Sequence, residues 1–393
     1  VAAGPIKGIT ITHPEVREAF FEEIRSLEQV EDVKPYGEFG FYVKVKNPVI
    51  NYRHQFNGIM IPMIGEFNNK QEEHYDGAIL TIPITKKYFH DMLEIMPIIL
   101  TLKENNEKFK VVFNARESMI TEDKIYKTFL MTAQQAKDIN TEPLRYWLDF
   151  LNFYEIDYEC TDSKFNKVIS ADSAYVFYYT DMGFEPANDS ETYTTNYIHW
   201  SNNTGLSGVK RVFPTRHESL AFKLSYQIIT FGQPTLLLYS DSFEILKRNF
   251  AKSGLISRTI PGKKIFIARN TKLYSDRAIS NTDKLNDYME SKGFEIFYNE
   301  DINMMDQIKS VTEAECIVGI VGSNFLNAMY ADKGTQQIIF YPDKSQDWLI
   351  YSNQSARWDH EVKNIYTDNN PESMIEYLET TESPIIKKWF QDV

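Results

Sequence analysis

The chain has 393 residues, 42% of them apolar and 14% aromatic, which is more than one hydrophobic core usually organises and predicts two domains. No apolar run approaches the roughly 20 residues of a bilayer span, and no basic segment leads into an apolar one near the start, so the expectation is a soluble, cytoplasmic protein without a transmembrane segment. With 55 acids against 42 Lys plus Arg, the formal charge of −13 disfavours nucleic acid and anionic lipid as partners and leaves any phosphate site to a local pocket. Cys160 and Cys316 lie far apart, each in or beside an apolar run, and read as two reduced, buried thiols. Asn188, Asn202 and Asn353 each begin an N-x-[ST] triplet, but in a sequence this rich in Asn such triplets arise by chance.

Thr12-His13-Pro14-Glu15 has capping-box spacing, and Val16, Phe20, Ile24 and Leu27 follow at helical intervals, so residues 9 to 30 carry an amphipathic helix. Gly40 to Lys46 and Gly58 to Ile64 are β-rich and predict an irregular N-terminal layer, residues 1–77, packed on the first domain. The first domain, 78–253, runs through an apolar stretch Ala78 to Ile84, a helix Lys86 to Lys103 and an apolar stretch Phe109 to Phe113. A helix Glu142 to Tyr154 follows, then strands Lys167 to Ile169 and Ala174 to Tyr178. Residues 183–215 keep no period and read as an insertion, and two helical stretches, 217–231 and 235–253, close the domain. In the second domain, 254–370, strands Lys264 to Ala268, Phe294 to Phe297, Cys316 to Ile320 and Gln337 to Tyr341 alternate with helices Thr282 to Lys292, Ile302 to Glu313 and Asn324 to Asp332. That rhythm predicts a doubly wound parallel sheet. Residues 371–393 supply two terminal helices, expected to fold back across the first domain.

Ligands of open parallel sheets bind outside the carboxyl ends of the strands, where helix N-termini point amides at anions. The loop after Ala268 places Arg269, Lys272 and Arg277 together in an otherwise acidic protein, and Arg binds phosphate oxygens in a fork. After Ile320, the turn Val321-Gly322-Ser323-Asn324 lets the backbone approach a ligand, with Ser323 or Asn324 capping the next helix.

Together these residues resemble glycosyltransferase family 61. The family's pattern has an Arg after a strand, a second Arg several residues on, and Asn-Glu opening a helix; here stand Ile267-Ala268-Arg269, then Arg277-Ala278-Ile279-Ser280-Asn281 and Thr282. A Gly-Phe strand start, a Gln-Ile pair, a Gly-x-His-Gly turn and an Asn follow in the family, matched by Gly293-Phe294, Gln307-Ile308, Gly319-Ile320-Val321-Gly322-Ser323 and Asn327. In the first domain, Tyr88-Phe89-His90-Asp91 and Met96-Pro97 match a Tyr-(Tyr/Phe)-His-Trp motif and a Leu-Pro pair. The resemblance spans roughly residues 78 to 370 and departs at two points. Val321 stands where the family has His, and the acid near the end of the next strand has no equivalent at Phe340 or Tyr341, with Asp343 the nearest.

The resemblance implies a GT-B-like arrangement, two Rossmann-like domains facing a cleft, and an inverting transfer of a hexosyl or pentosyl unit from a nucleotide diphosphate, commonly UDP, to a glycan or hydroxyl acceptor. Arg269, Lys272, Arg277, Asn281, Gly322, Ser323, Asn324 and Asn327 are then the donor-binding set. No Asp-x-Asp triplet occurs and the seven His show no ligand grouping, so no metal and no cofactor are expected. His90 is the first candidate for the base, with Glu94 one helical turn on to orient it and Asp91 as a substitute. Two rival readings stand beside this one: a non-catalytic carbohydrate- or nucleotide-binding relative, suggested by Val321, and an epimerase or dehydrogenase using a dinucleotide. Against the latter, no G-x-G-x-x-G follows any predicted strand.

Overall fold

The computed structural model describes residues 21–22, 25–26, 28, 30–36, 40–54, 60–64, 71–82, 88, 91–114, 142–161, 167–179, 236–268, 282–299, 302–341, 359–368 and 370–391. Most of the expected N-terminal helix, the 183–215 insertion, the 217–231 helix and the three N-x-[ST] triplets lie outside them. The chain is a mixed α/β protein that divides into two compact units. The first comprises 1–86, 90–141 and 151–246, and the second 87–89, 142–150 and 247–393.

The first unit is built on one sheet of β1 (Val30–Tyr36), β2 (Gly40–Lys46), β3 (Val49–His54), β4 (Met60–Ile64), β5 (Gln71–Ile82), β6 (Lys110–Asn114), β7 (Tyr158–Thr161) and β8 (Lys167–Tyr179). Its main path runs β1-β2-β8-β5-β6-β7, with β3 pairing to β4 and β8. The pairs β8/β5, β5/β6 and β6/β7 are parallel, whereas β1/β2, β2/β8, β3/β4 and β3/β8 are antiparallel. This corrects two expectations. The N-terminal strands extend the sheet by hydrogen bonds rather than forming a layer over it, and the unit is mixed rather than purely doubly wound. The two strands expected at Lys167 to Ile169 and Ala174 to Tyr178 are one, because the polar break between them packs against a bulge in β5. There Gly77, at φ 82°, donates its amide to the Asp172 carboxylate at 2.7 Å.

One face of that sheet buries Val33, Val43, Ile50, Ile79, Val112 and Ile169 with Phe21. The predicted helix Lys86 to Lys103 is in fact a π-helical turn, Asp91–Ile95, running into helix α1 (Met96–Glu104), with Pro97 near the start where a missing amide costs nothing. Helices α2 (Glu142–Phe153) and α3 (Leu236–Lys252) complete the described helices of this half of the chain, and each is shared between the two units.

The second unit carries β9 (Lys264–Ala268), β10 (Glu295–Tyr298), β11 (Cys316–Ile320), β12 (Gln336–Tyr341) and β13 (Glu361–Tyr366), all parallel, in the order β10-β9-β11-β12-β13. Helix α4 (Thr282–Ser291) links β9 to β10, α5 (Met304–Thr312) links β10 to β11, and a 3-10 segment, Ser323–Tyr330, follows β11. Asn303 caps α5 by accepting from the amides of Met305 at 2.8 Å and Asp306 at 3.0 Å. On one face Phe266, Val318 and Phe340 pack with Leu285 and Met289 of α4 and with Met374 and Leu378 of α6 (Pro371–Thr380). Ile386 of the short α7 (Pro384–Ile386) and Trp389 and Phe390 of the π-helical turn after it, Lys387–Gln391, join the same cluster. The terminal helices therefore pack into the second unit's core. Cys316 is a free, buried thiol, and the Cys160 side chain lies outside the described set.

Candidate functional site

In a sheet of order β10-β9-β11-β12-β13 the chain leaves β9 first to one side and later to the other, so β9 and β11 flank the topological switch point. Both loops singled out in the sequence start there. The 269–281 loop continues directly from Ala268, but Arg269, Lys272, Arg277 and Asn281 themselves lie outside the described residues.

After β11, Val321 is buried and its amide donates to the carbonyl of Phe340 at 2.9 Å, so the sheet is prolonged by one residue. Gly322 follows at φ 158°, ψ 175°, a conformation essentially restricted to glycine, and it occupies the cap position of the 3-10 segment. The cap position expected for Ser323 or Asn324 is thus held by a residue without a side chain. The side chains of Ser323 and Asn324 are outside the described set. Phe340 and Tyr341, where the resemblance places an acid, are fully buried in β12.

Asn327, expected in the donor-binding set, is fully buried. Its Oδ1 accepts from the Tyr88 hydroxyl at 2.8 Å, and its Nδ2 donates to Gln307 Oε1 at 3.2 Å. Gln307 Nε2 in turn donates to the carbonyls of Asn299 at 2.6 Å and Ile302 at 3.1 Å. The Tyr88 ring meets Tyr146 edge-on at 5.1 Å, and burial pushes the phenol's pKa up, although the hydrogen bond to Asn327 acts in the opposite sense. Next to this chain, the Met304 amide at the start of α5 donates to Asp149 Oδ2 at 3.1 Å. Tyr88, Asn327 and Gln307 had all stood out as pieces of the sequence pattern; that they bond to one another is visible only in the fold. Asp149 carried no signal in the sequence.

On the first unit's side, His90 and the Glu94 side chain lie outside the described residues, while Asp91 is fully buried. The segment Asp91–Ile95 is π-helical, so its hydrogen bonds span one residue more than in an α-helix. Among the described residues no group of three or more His, Cys, Asp or Glu is arranged to hold a metal ion, and no helix is long and apolar enough to cross a membrane.

A family model, Glycosyltransferase 61, matches residues 88–338, from the tyrosine of this hydrogen-bond chain to the middle of β12. The chain belongs to glycosyltransferase family 61. Membership assigns it sugar transfer, with a sugar donor and an acceptor as substrates, and the matched span includes the loops after β9 and β11. No curated protein matches the chain significantly. Two mutants of a flavo di-iron protein from Thermotoga maritima are among the similar solved structures, both at 12% identity. One covers 91% of this chain and 100% of its own at a TM-score of 0.24, the other 89% and 94% at 0.21. Such low scores carry no argument about fold or function.

Proposed function

We propose that the protein is an inverting, metal-independent glycosyltransferase that takes its sugar from a nucleotide diphosphate, UDP foremost, with the donor at the carboxyl edge of the second unit's sheet. The observation that supports this reading best is that the loops after β9 and β11, one carrying Arg269, Lys272 and Arg277 and the other the Gly322 turn, both begin at the switch point of that sheet. In the reaction, an acceptor hydroxyl attacks the anomeric carbon and the bond from that carbon to the diphosphate oxygen breaks. The hydroxyl proton passes to a base, for which His90 is the candidate, oriented by Glu94. The charge released on the diphosphate falls to Arg269, Arg277 and the amides that open the 3-10 segment. Lys272, Asn281, Ser323 and Asn324 complete the donor side. Asn327, whose side chain is occupied by Tyr88 and Gln307, supports that side from below rather than touching the donor. Asp91 is a weak substitute base, since a fully buried carboxylate is poorly placed to meet an acceptor.

The experiment is a transfer and donor-hydrolysis assay over a panel of nucleotide sugars in EDTA, run on the parent and on His90→Ala. Turnover by the parent in EDTA, reduced by about 10²–10⁴-fold in the variant with UDP affinity kept, is the expected result. Complete loss in EDTA that manganese restores contradicts metal independence, and a His90 variant at parent rate moves the base elsewhere. A second reading, a relative that binds nucleotide or carbohydrate without transferring, is favoured by one feature: buried Val321 stands where the family's pattern has His. Tight UDP binding with no turnover on any donor would support it.

A further inference from the structure

We propose that Tyr88, Asn327 and Gln307 are positioning residues for sugar transfer: a buried hydrogen-bond chain that fixes the turn after β11 without contacting the donor.

The direction of the chain is imposed from one end. Gln307 gives both of its amide hydrogens to backbone carbonyls, Asn299 and Ile302, so its Oε1 has to face Asn327. Asn327 must then present Nδ2 to Gln307 and Oδ1 to Tyr88, and the phenol is left one role, that of donor. No amide in the sequence can flip without pairing two donors or two acceptors. A chain of this kind holds a single arrangement of the backbone that carries it.

That backbone needs holding. The segment Ser323–Tyr330 is 3-10 rather than α-helical over eight residues, a length at which 3-10 hydrogen bonds alone support a helix poorly. It is tied instead by side chains at successive points: Asn327 by Tyr88 and Gln307, the Ala328 carbonyl by Gln337 Nε2 at 2.8 Å, and the Ala331 carbonyl by His360 Nε2 at 3.0 Å. The Tyr88 tie is the long-range one, reaching 239 positions along the chain. Residues 87–89 and 142–150 are drawn into the second unit where these contacts are made, with Tyr146 against the Tyr88 ring and Asp149 on the Met304 amide. Asn299 and Ile302 follow the end of β10 and Asn327 lies in the segment that follows β11, so the chain joins the connections that leave the carboxyl ends of those two strands.

The test pairs Tyr88→Phe, which deletes only the hydroxyl, with Phe390→Leu, a core variant on the sheet face that packs α4 and α6 and serves as a control for stability lost without repositioning. Two quantities are read in each: native-state hydrogen exchange of amides in 321–331, and UDP affinity by calorimetry. Tyr88→Phe is expected to speed exchange in that segment at least tenfold and to weaken UDP about tenfold, whereas Phe390→Leu changes neither. Unchanged exchange in Tyr88→Phe overturns the proposal, and so does faster exchange with parent affinity for UDP. If Tyr88→Phe does not fold, Asn327→Ser, which keeps a donor and an acceptor but shortens their reach, is read in the same two ways. The affinity arm rests on the donor reading above and the exchange arm does not. A parent chain that binds no UDP therefore contradicts the donor reading, and exchange alone then decides whether Tyr88 holds the segment.

Discussion

His360, at 6% exposure, donates from Nε2 to the Ala331 carbonyl and accepts at Nδ1 from Gln337 Nε2 at 2.8 Å, so its partners require the neutral ring. Burial depresses its pKa below the ordinary 6.5, with the Ala331 bond opposing, Lys247 adding to the fall and Asp332 and Asp359 resisting it. A group with a depressed folded value stabilises fully above its unfolded one, so this contribution is present above pH 6.5 and is lost as the pH drops from there. Glu107 in the first unit behaves likewise in a lower window. Burial alone would raise its pKa, but hydrogen bonds from Lys34, from Tyr175 at 2.7 Å and from Tyr42 at 3.1 Å hold it below the ordinary 4.5. Its contribution is complete above pH 4.5 and is lost as the pH falls through the lowered value. His360→Gln is expected to flatten the fall in urea midpoint between pH 7 and 5.5. Glu107→Gln should cost about 1–2 kcal/mol at pH 7 and flatten only the fall below pH 4.5. A parent-like pH profile in both variants would contradict these assignments.

At the scale of elements, the close approach of the 3-10 segment to its sheet depends on Gly319. A Cβ there would lie 2.8 Å from Phe325 Cδ2 and 3.2 Å from Ile267 Cβ, and the Phe325 ring is fully buried. Gly319→Ala should therefore destabilise the protein by about 1–3 kcal/mol in urea unfolding, the usual cost of overpacking, and a variant as stable as the parent would show that the ring has another place to go. Elements with a strong apolar signature were legible in the sequence: β9 and β11 fall where the pattern puts them, and α4, α5 and β12 within two residues. Four strands escaped notice, β1, β3, β7 and β13, and two of them carry weak signatures for a physical reason. β1 is an edge strand containing Pro35, and β13 is an edge strand reading Glu-Val-Lys-Asn-Ile-Tyr, since edges take polar residues and proline where central strands cannot. The π-helical turn at Asp91–Ile95 was hidden because its residues are as apolar at α-helical spacing as those of α1.

At the scale of the whole molecule, the alternation of strands and helices in sequence located a second unit but not its membership. Residues 87–89 and 142–150 join it through Tyr88, Tyr146 and Asp149, partners remote in sequence that no local period reveals. The mixed pairing of the first sheet was likewise out of reach, because strand direction depends on connections rather than composition. The switch point was legible in part: the loops after β9 and β11 stood out for their Arg and Gly residues, and the strand order then brought both to one edge. That edge carries the donor reading, and a calorimetric titration of UDP into the parent and into Arg269→Ala tests it most directly. Saturable binding by the parent in EDTA, weakened at least tenfold by the substitution, is the predicted result, because a charge-assisted fork to a diphosphate is lost. The same affinity in both proteins, or no binding by the parent, would contradict it.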